Sequence, residues 1–547
     1  MLAKPRNILT FIMLLLISFV TLLTACNGSQ DANMSSDNNQ TKNSGKPVLR
    51  ILSSSENKDF DPQNPNGNGI IADFMKTQDF DVQFVLKGSV DSMSELTNNT
   101  GAYDAVWLAN SQWILMGDKN KKVKDQKSIM TSPVVWGIKK SVAEQLGFIG
   151  KEVTVQQLSD AVQNKKLKFA MTSASQSNSG ASAYMGFLYA LLNNPQTITM
   201  EDLHRSDLAP KMRSLLSGVN RGSGSSEWLK DLFLKSNYDA MVNYESVLIT
   251  TNNNLVASGK EPLYLIYPVN GMTVADYSLG YINNSKDEQE TRFKALQDYL
   301  MLSDVQKKIL STGRRTGMGG IVTGADPSVF NKNWGIDTTR LLSPIVFPEP
   351  EVTLEALNLY QTTFKKPSFT VFCIDYSGSM SGNGGEKGVK SAMDLLLTQA
   401  KAKESLLQSS SEDVVVVLPF NSNIIAKWTA VGPQQFPDLL KRVKELAADG
   451  GTNIYLPAIE ALNILKDVDQ EKYVTSVVLM TDGISNGSLK DFTNMYNKIQ
   501  KDIPVFSITF GDADESQLKS ISDLTRADVF PSGGDLVASF KKVRGYN

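Results

Sequence analysis

Apolar positions along this chain gather into short, strand-length runs separated by amphipathic stretches. Between residues 48 and 343 the runs are Val48–Leu52, Val82–Leu86, Ala105–Leu108, Val134–Ile138, Lys168–Met171, Ala240–Val242 and Leu263–Tyr267. Helical segments between such strands imply parallel sheets with crossover connections. A second set follows at Phe369–Ile374, Val414–Leu418, Val474–Met480 and Val505–Phe510. These runs are apolar almost throughout, as strands covered on both faces are. Between the first two of them Val389, Ala392, Met393, Leu396 and Ala400 recur at helical spacing on one face. Residues 344–367 carry Pro344, Pro348, Pro350 and Pro367 around a short amphipathic helix, Leu354–Thr363, and read as a junction. The expected class is α/β in two units, 48–343 and 368–547.

The N-terminus has a different pattern. Lys4 and Arg6 precede an uncharged apolar run from Ile8 to Val20 that fades into small residues, the pattern of an export signal. A membrane-spanning anchor is the other reading, since the run approaches the roughly 20 residues a span needs. Leu23-Thr24-Ala25-Cys26 separates the two, because it resembles a bacterial lipoprotein processing box. That resemblance implies cleavage before Cys26 and acylation of its thiol and new amino group. The mature protein would then be lipid-anchored at the cell membrane, facing outside the cytoplasm, with more than one acyl chain for stable anchoring. Residues 27–47 are polar and almost free of apolar side chains, and read as a flexible tether.

Composition narrows the chemistry. A chain of 547 residues has room for about three to four packed units. Lys+Arg 55 against Asp+Glu 57 leaves a net charge of −2, so there is no basic field to hold nucleic acid. With 2 Cys and 1 His, a disulfide framework and a zinc finger are excluded. Cys373 lies in an apolar run and reads as a small buried hydrophobe. His204 sits in a polar stretch and reads as a surface residue. No nucleophile with an adjacent base and no Walker-type loop is present, so the expectation is a binding protein and not an enzyme.

The strongest chemical signal is in the second unit. Its first strand ends in Asp375-Tyr376-Ser377-Gly378-Ser379, where open α/β sheets deliver ligand groups. Thr452 follows the pair Gly450-Gly451, and Asp482 follows the strand Val474–Met480. Two carboxylates and three hydroxyls at strand ends make a hard oxygen site that suits Mg²⁺. Asp-x-Ser-x-Ser, a Thr after glycines and a later Thr-Asp-Gly together resemble the metal-ion-dependent adhesion site of von Willebrand factor type A domains. The resemblance covers Lys366 to Asn547. It implies a doubly wound, Rossmann-like parallel sheet, with Asp375, Ser377, Ser379, Thr452 and Asp482 around a metal on its upper rim. It also implies one coordination position left for a carboxylate of a protein partner. Asp512-Ala513-Asp514-Glu515 reads instead as a helix cap.

The first unit resembles the two-lobed periplasmic solute-binding proteins of bacterial importers, especially the molybdate, sulfate and phosphate group. The segments carrying the resemblance are 49–56, 103–111, 132–138 and 238–246. It implies a cleft between lobes, lined by strand-end loops, for a small anion or other solute. Ser54, Ser55, Asn110, Ser111, Ser175 and Tyr244 are the candidate contacts, with the serine-rich loop 172–180 opening a helix N-terminus. Glu56 and Glu245 argue against an anion, since carboxylates would repel it. Arg314-Arg315 reads as surface charge, or as compensation for those acids. Two functions follow as expectations. One is metal-dependent capture of an acidic group on a protein partner. The other is a solute receptor for an importer, with the second unit as a docking module.

Overall fold

The computed structural model describes residues 45–547 apart from 285, 383, 511–514, 532–535 and 546–547. The export segment, Cys26 and most of the tether therefore lie outside the described residues, as do Asp512, Ala513 and Asp514 of the acidic run. Seventeen strands are described. In chain order they are β1 (Val48–Ser54), β2 (Asp81–Lys87), β3 (Ala105–Leu108), β4 (Val123–Ser128), β5 (Ser132–Lys139) and β6 (Phe169–Thr172). Next come β7 (Val219–Ser223), β8 (Ala240–Tyr244), β9 (Leu263–Ile266), β10 (Thr273–Ala275) and β11 (Ser278–Ile282). The remainder are β12 (Ser368–Asp375), β13 (Val414–Phe420), β14 (Trp428–Val431), β15 (Val474–Thr481), β16 (Val505–Thr509) and β17 (Val529–Pro531).

They form three sheets. The first lobe has the order β2-β1-β3-β11-β4, and the second β10-β5-β8-β6-β7 with β9 on β5. Parallel sheets were expected here, but both lobes are mixed. β11 runs antiparallel to β3 and β4, and β5 runs antiparallel to β8, β9 and β10. The reason is that the chain crosses between lobes and returns: β11 comes back to the first sheet long after β3. Its sequence, SLGYI, is wholly buried yet has no long aliphatic run. β4 is a polar edge strand, VKDQKS. Neither pattern announces a strand.

The third sheet, β14-β13-β12-β15-β16-β17, is parallel except for the edge strand β14. Successive residues of β12 point to opposite covered faces. Phe372 and Ile374 join one apolar cluster with Val389 and Met393 of the helix Gly385–Leu397. Val371 and Cys373 join another with Ala458 and Leu462 of the helix Tyr455–Leu465. Burial on both faces explains the unbroken apolar runs. The expected helical face holds for Val389, Ala392, Met393 and Leu396, but the helix ends before Thr398 and Ala400 is exposed in the next one. Cys373 is a buried free thiol, its pKa raised by burial.

The junction helix is Pro350–Leu359, continued by a π-turn at Tyr360–Phe364. Pro350 at its first turn supplies a preset φ. Ala356, Leu357, Tyr360 and Phe364 belong to the same apolar cluster as Leu52 and Val106 of the first lobe and Phe169 and Tyr184 of the second. The two lobes and the junction thus share one continuous core. Among the described residues no helix is long and apolar enough to cross a membrane.

Candidate metal centre and interlobe cleft

Asp375 is the last residue of β12 and is fully buried. Its Oδ1 accepts from the Ser377 amide at 2.7 Å, and its Oδ2 accepts from Thr481 Oγ1 at 2.6 Å. Ser377 Oγ and Ser379 Oγ lie 3.1 Å apart, and Ser379 Oγ donates to Asp482 Oδ1 at 2.7 Å. Thr452 reaches the same place. A Cβ at residue 483 would lie 3.1 Å from Thr452 Oγ1 and 3.7 Å from Ser379 Oγ, so the hydroxyls converge on a backbone position that glycine keeps open. The Thr452 loop is fixed by Gly378 N donating to Gly450 O at 2.9 Å and by Asn421 Nδ2 donating to Asp449 O at 3.0 Å. Gly450 has φ +84°, which a side chain would strain.

The structure thus brings Asp375, Ser377, Ser379, Thr452 and Asp482 onto one rim, with Ser379 exposed. Burial raises the Asp375 pKa against donation from Thr481 and Ser377, and the neighbouring Asp482 pushes the same way. Asp482 Oδ2 is buried and has no hydrogen-bond partner among the described residues. A buried acceptor of this kind costs free energy unless something satisfies it. Among the described residues no group of three His, Cys, Asp or Glu side chains could hold a metal. The rim offers two carboxylates and three hydroxyls instead, a donor set that fits a hard cation keeping some of its water. Thr481 was not singled out from sequence, although it stands directly before Asp482; only the fold shows that it aims at Asp375.

The six candidate solute contacts do not share one surface. Ser55 lines a cleft of about 620 Å³ together with Glu56, Ser246, Thr250 and Arg314. Ser54 is fully buried, one of several hydroxyls facing the Glu56 carboxyl. Asn110 caps the helix Ser111–Gly117 by accepting from Gln112 N at 2.8 Å. The Ser111 amide donates to Asp276 Oδ1 at 2.8 Å. Ser175 Oγ accepts from Gln361 of the junction. Tyr244 is fully buried, accepting from Asn178 Nδ2 at 2.9 Å and donating to Glu56 Oε1 at 3.2 Å.

Protein groups occupy much of the space between the lobes. Trp113 Nε1 donates to Asn178 Oδ1 at 2.7 Å, and with the Tyr244–Glu56 bond this makes a buried chain from lobe to lobe. In the serine-rich loop Ser179 Oγ lies 2.8 Å from both Thr172 Oγ1 and Ser226 Oγ. Gln176 Nε2 donates to Lys541 O, on the last helix of the chain, and Lys541 Nζ pairs with Asp91 at 2.6 Å.

The two arginines are not surface charge. Arg315 is fully buried and forms a bidentate pair with Glu245 at 2.7 and 2.6 Å. Arg314 is nearly buried and grips Asp59 at 2.7 and 2.9 Å. Glu245 is therefore neutralised within the core and does not line the cleft. Glu56 does, and burial raises its pKa against its hydrogen bonds. His204 is half exposed, 3.6 Å from Glu355.

Comparison with known proteins agrees with this architecture. Residues 68–315 match the family model described as bacterial extracellular solute-binding protein, and residues 370–526 match that of the von Willebrand factor type A domain. Both are families of binding and adhesion domains. A search of curated proteins gives no match. Similar solved structures include the periplasmic binding protein AfuA from Actinobacillus pleuropneumoniae, at 10% identity and TM-score 0.40, covering 56% of this chain and 94% of that one. A periplasmic thiamin binding protein aligns at 15% identity and TM-score 0.41, covering 58% and 94%. A von Willebrand factor type A protein from Catenulispora acidiphila aligns at 17% identity and TM-score 0.29 over 34% of this chain, spanning 43% of that protein's length. Two successive regions of the chain thus match two family models, bacterial extracellular solute-binding protein over 68–315 and von Willebrand factor type A domain over 370–526.

Proposed function

We propose that this protein is a lipid-anchored, extracytoplasmic binding protein that captures an acidic group of a protein partner through a divalent cation on the β12–β15 rim. Asp375, Ser377, Ser379, Thr452 and Asp482 would hold the ion, with Mg²⁺ the expected species. Once bound, the cation supplies an attraction for a partner carboxylate that the two acids of the rim only partly offset. Asp375 and Asp482 fix the charge, while the hydroxyls complete an oxygen shell on the exposed side. The observation that carries this reading is Asp482 Oδ2, a buried acceptor with no partner beside three converging hydroxyls. Acylation at Cys26 and the tether at 27–47 would present the protein at the membrane, and an extracellular solute-binding family is consistent with that side. The near-neutral charge gives no support for nucleic acid as a partner.

A Mg²⁺ titration of the full chain, followed calorimetrically, tests the site. Saturable binding in the micromolar to millimolar range, about 4 to 8 kcal/mol, is expected, with loss in Asp375→Ala and Asp482→Ala while the unfolding transition persists. Partner capture should require Mg²⁺ and fail in both variants; capture that survives both would sink the mechanism. A second reading, a solute receptor for an importer, is favoured by the polar cleft of about 620 Å³. It calls for a thermal shift with a small solute that is unaffected by chelating the metal.

A further inference from the structure

Solute-binding region, junction and type A domain meet around a cavity of about 190 Å³ that shares no lining residue with the cleft or the metal rim. Arg213 comes from the helix Leu208–Leu216, Lys365 and Lys366 from the junction, and Ser410 and Ser411 from the turn before β13. Glu412 and Glu471 line it as well, so three cations from two parts of the chain share the cavity with two carboxylates and two serines from a third.

The balance of partners is uneven. The Lys365 amide donates to Tyr360 O at 3.2 Å, but its ammonium has no hydrogen bond or ion pair with any described residue. Burial, with Arg544 close by, lowers its pKa to about 7, and Asp413 opposes this. Burial also lowers the Lys366 pKa, with Glu471 and Asp469 opposing and Lys168 reinforcing. Arg213 donates Nε to Thr363 O at 2.7 Å and sets Nη1 3.7 Å from Glu412, leaving Nη2 without a partner among the described residues. The nearby acids are already engaged. Asp413 accepts from the amides of Ser368 and Ser410 at 2.7 and 3.0 Å and meets Arg544 at 3.4 Å. Glu412 also lies 3.8 Å from Lys472, and Glu471 lies 3.9 Å from Lys165. An ammonium withdrawn from water without a counter-charge is costly, and a ligand that supplied one would be held strongly.

We propose that this junction cavity is a binding site for a small tetrahedral oxyanion, sulfate or inorganic phosphate, held by Lys365, Lys366 and Arg213 with the hydroxyls of Ser410 and Ser411. The volume admits such an ion with part of its water shell. Because the ligands come from three segments, the ion ties the solute-binding region to the type A domain across the junction. It is distinct from the proposed partner site, which attracts a carboxylate to a cation.

The test is the thermal midpoint of the full chain in EDTA, with sulfate or phosphate added against sodium chloride at matched ionic strength. Chelation keeps the metal rim out of the readout. A site predicts a midpoint that rises with oxyanion concentration beyond the chloride control, following ligand linkage. Lys365→Met should abolish that excess, Arg213→Gln should raise the apparent Kd several-fold, and the exposed control Lys403→Met should leave it unchanged. An excess that persists in Lys365→Met places the ion elsewhere and overturns the proposal. So does a wild-type response equal to that of chloride. If Lys365→Met does not fold, Arg213→Gln decides: an unchanged apparent Kd overturns the proposal.

Discussion

Thr481 holds Asp375 Oδ2 at 2.6 Å while the Ser377 amide holds Oδ1, so both oxygens of the carboxylate are fixed by the protein itself. A hydrogen bond to a metal ligand typically changes affinity by about 10- to 100-fold when removed. Thr481→Val keeps the shape and removes the donor. Mg²⁺ affinity should fall by about that range with little change in unfolding midpoint, as calorimetry and thermal melts can show. Glu56, like Asp375, is a carboxyl that burial disfavours as an anion. Its folded pKa lies above the ordinary 4.5. The folded state therefore holds the proton more tightly than the unfolded chain, a contribution fully present below pH 4.5 and lost as pH rises through the folded pKa. Glu56→Gln removes this dependence. Denaturation across pH 4 to 8 should show the variant gaining stability relative to wild type as pH rises, and a pH-independent difference would contradict the assignment.

At the scale of elements, the pair Arg315–Glu245 joins the segment after the helix Ser303–Leu310 to the start of the helix Glu245–Ala257. Arg315 also donates to Gly320 O at 2.6 Å and to Asp337 O at 3.1 Å, so one side chain gathers three segments. Arg315→Met strands Glu245 without a counter-charge, a change that typically costs about 3–5 kcal/mol. Chemical denaturation should show a loss of that order, with Glu245→Gln in the same background restoring part of it. The pair was not legible from sequence, because adjacent arginines in a polar stretch look like solvent-facing charge. Strands β12, β13, β15 and β16 were legible, because two covered faces leave only small hydroxyl side chains among long apolar runs. β4 and β11 were not, one being a polar edge and the other short and mixed in composition.

Across the whole molecule, the sequence pattern pointed to the residues that meet on the β12–β15 rim, because Asp375 and Asp482 follow apolar strands and Thr452 follows a glycine pair. The surroundings of the serine-rich loop could not, since its partners come from far along the chain. Gln361 reaches Ser175, and Lys541 reaches both Gln176 and Asp91. No local pattern in a serine-rich loop foretells that a distant helix will close over it.

The position of β12 has a mechanical consequence. Asp375 ends this strand and Ser368 begins it directly after the junction, while β13 and β15 flank it in parallel register along nearly its whole length. Tension applied at the rim would run down β12 and meet both ladders crosswise, so their bonds would shear together and not unzip one at a time. β1, the first strand of the chain's described part, is embedded in the same way between β2 and β3. Both are interior strands, so neither can be peeled away from a free edge.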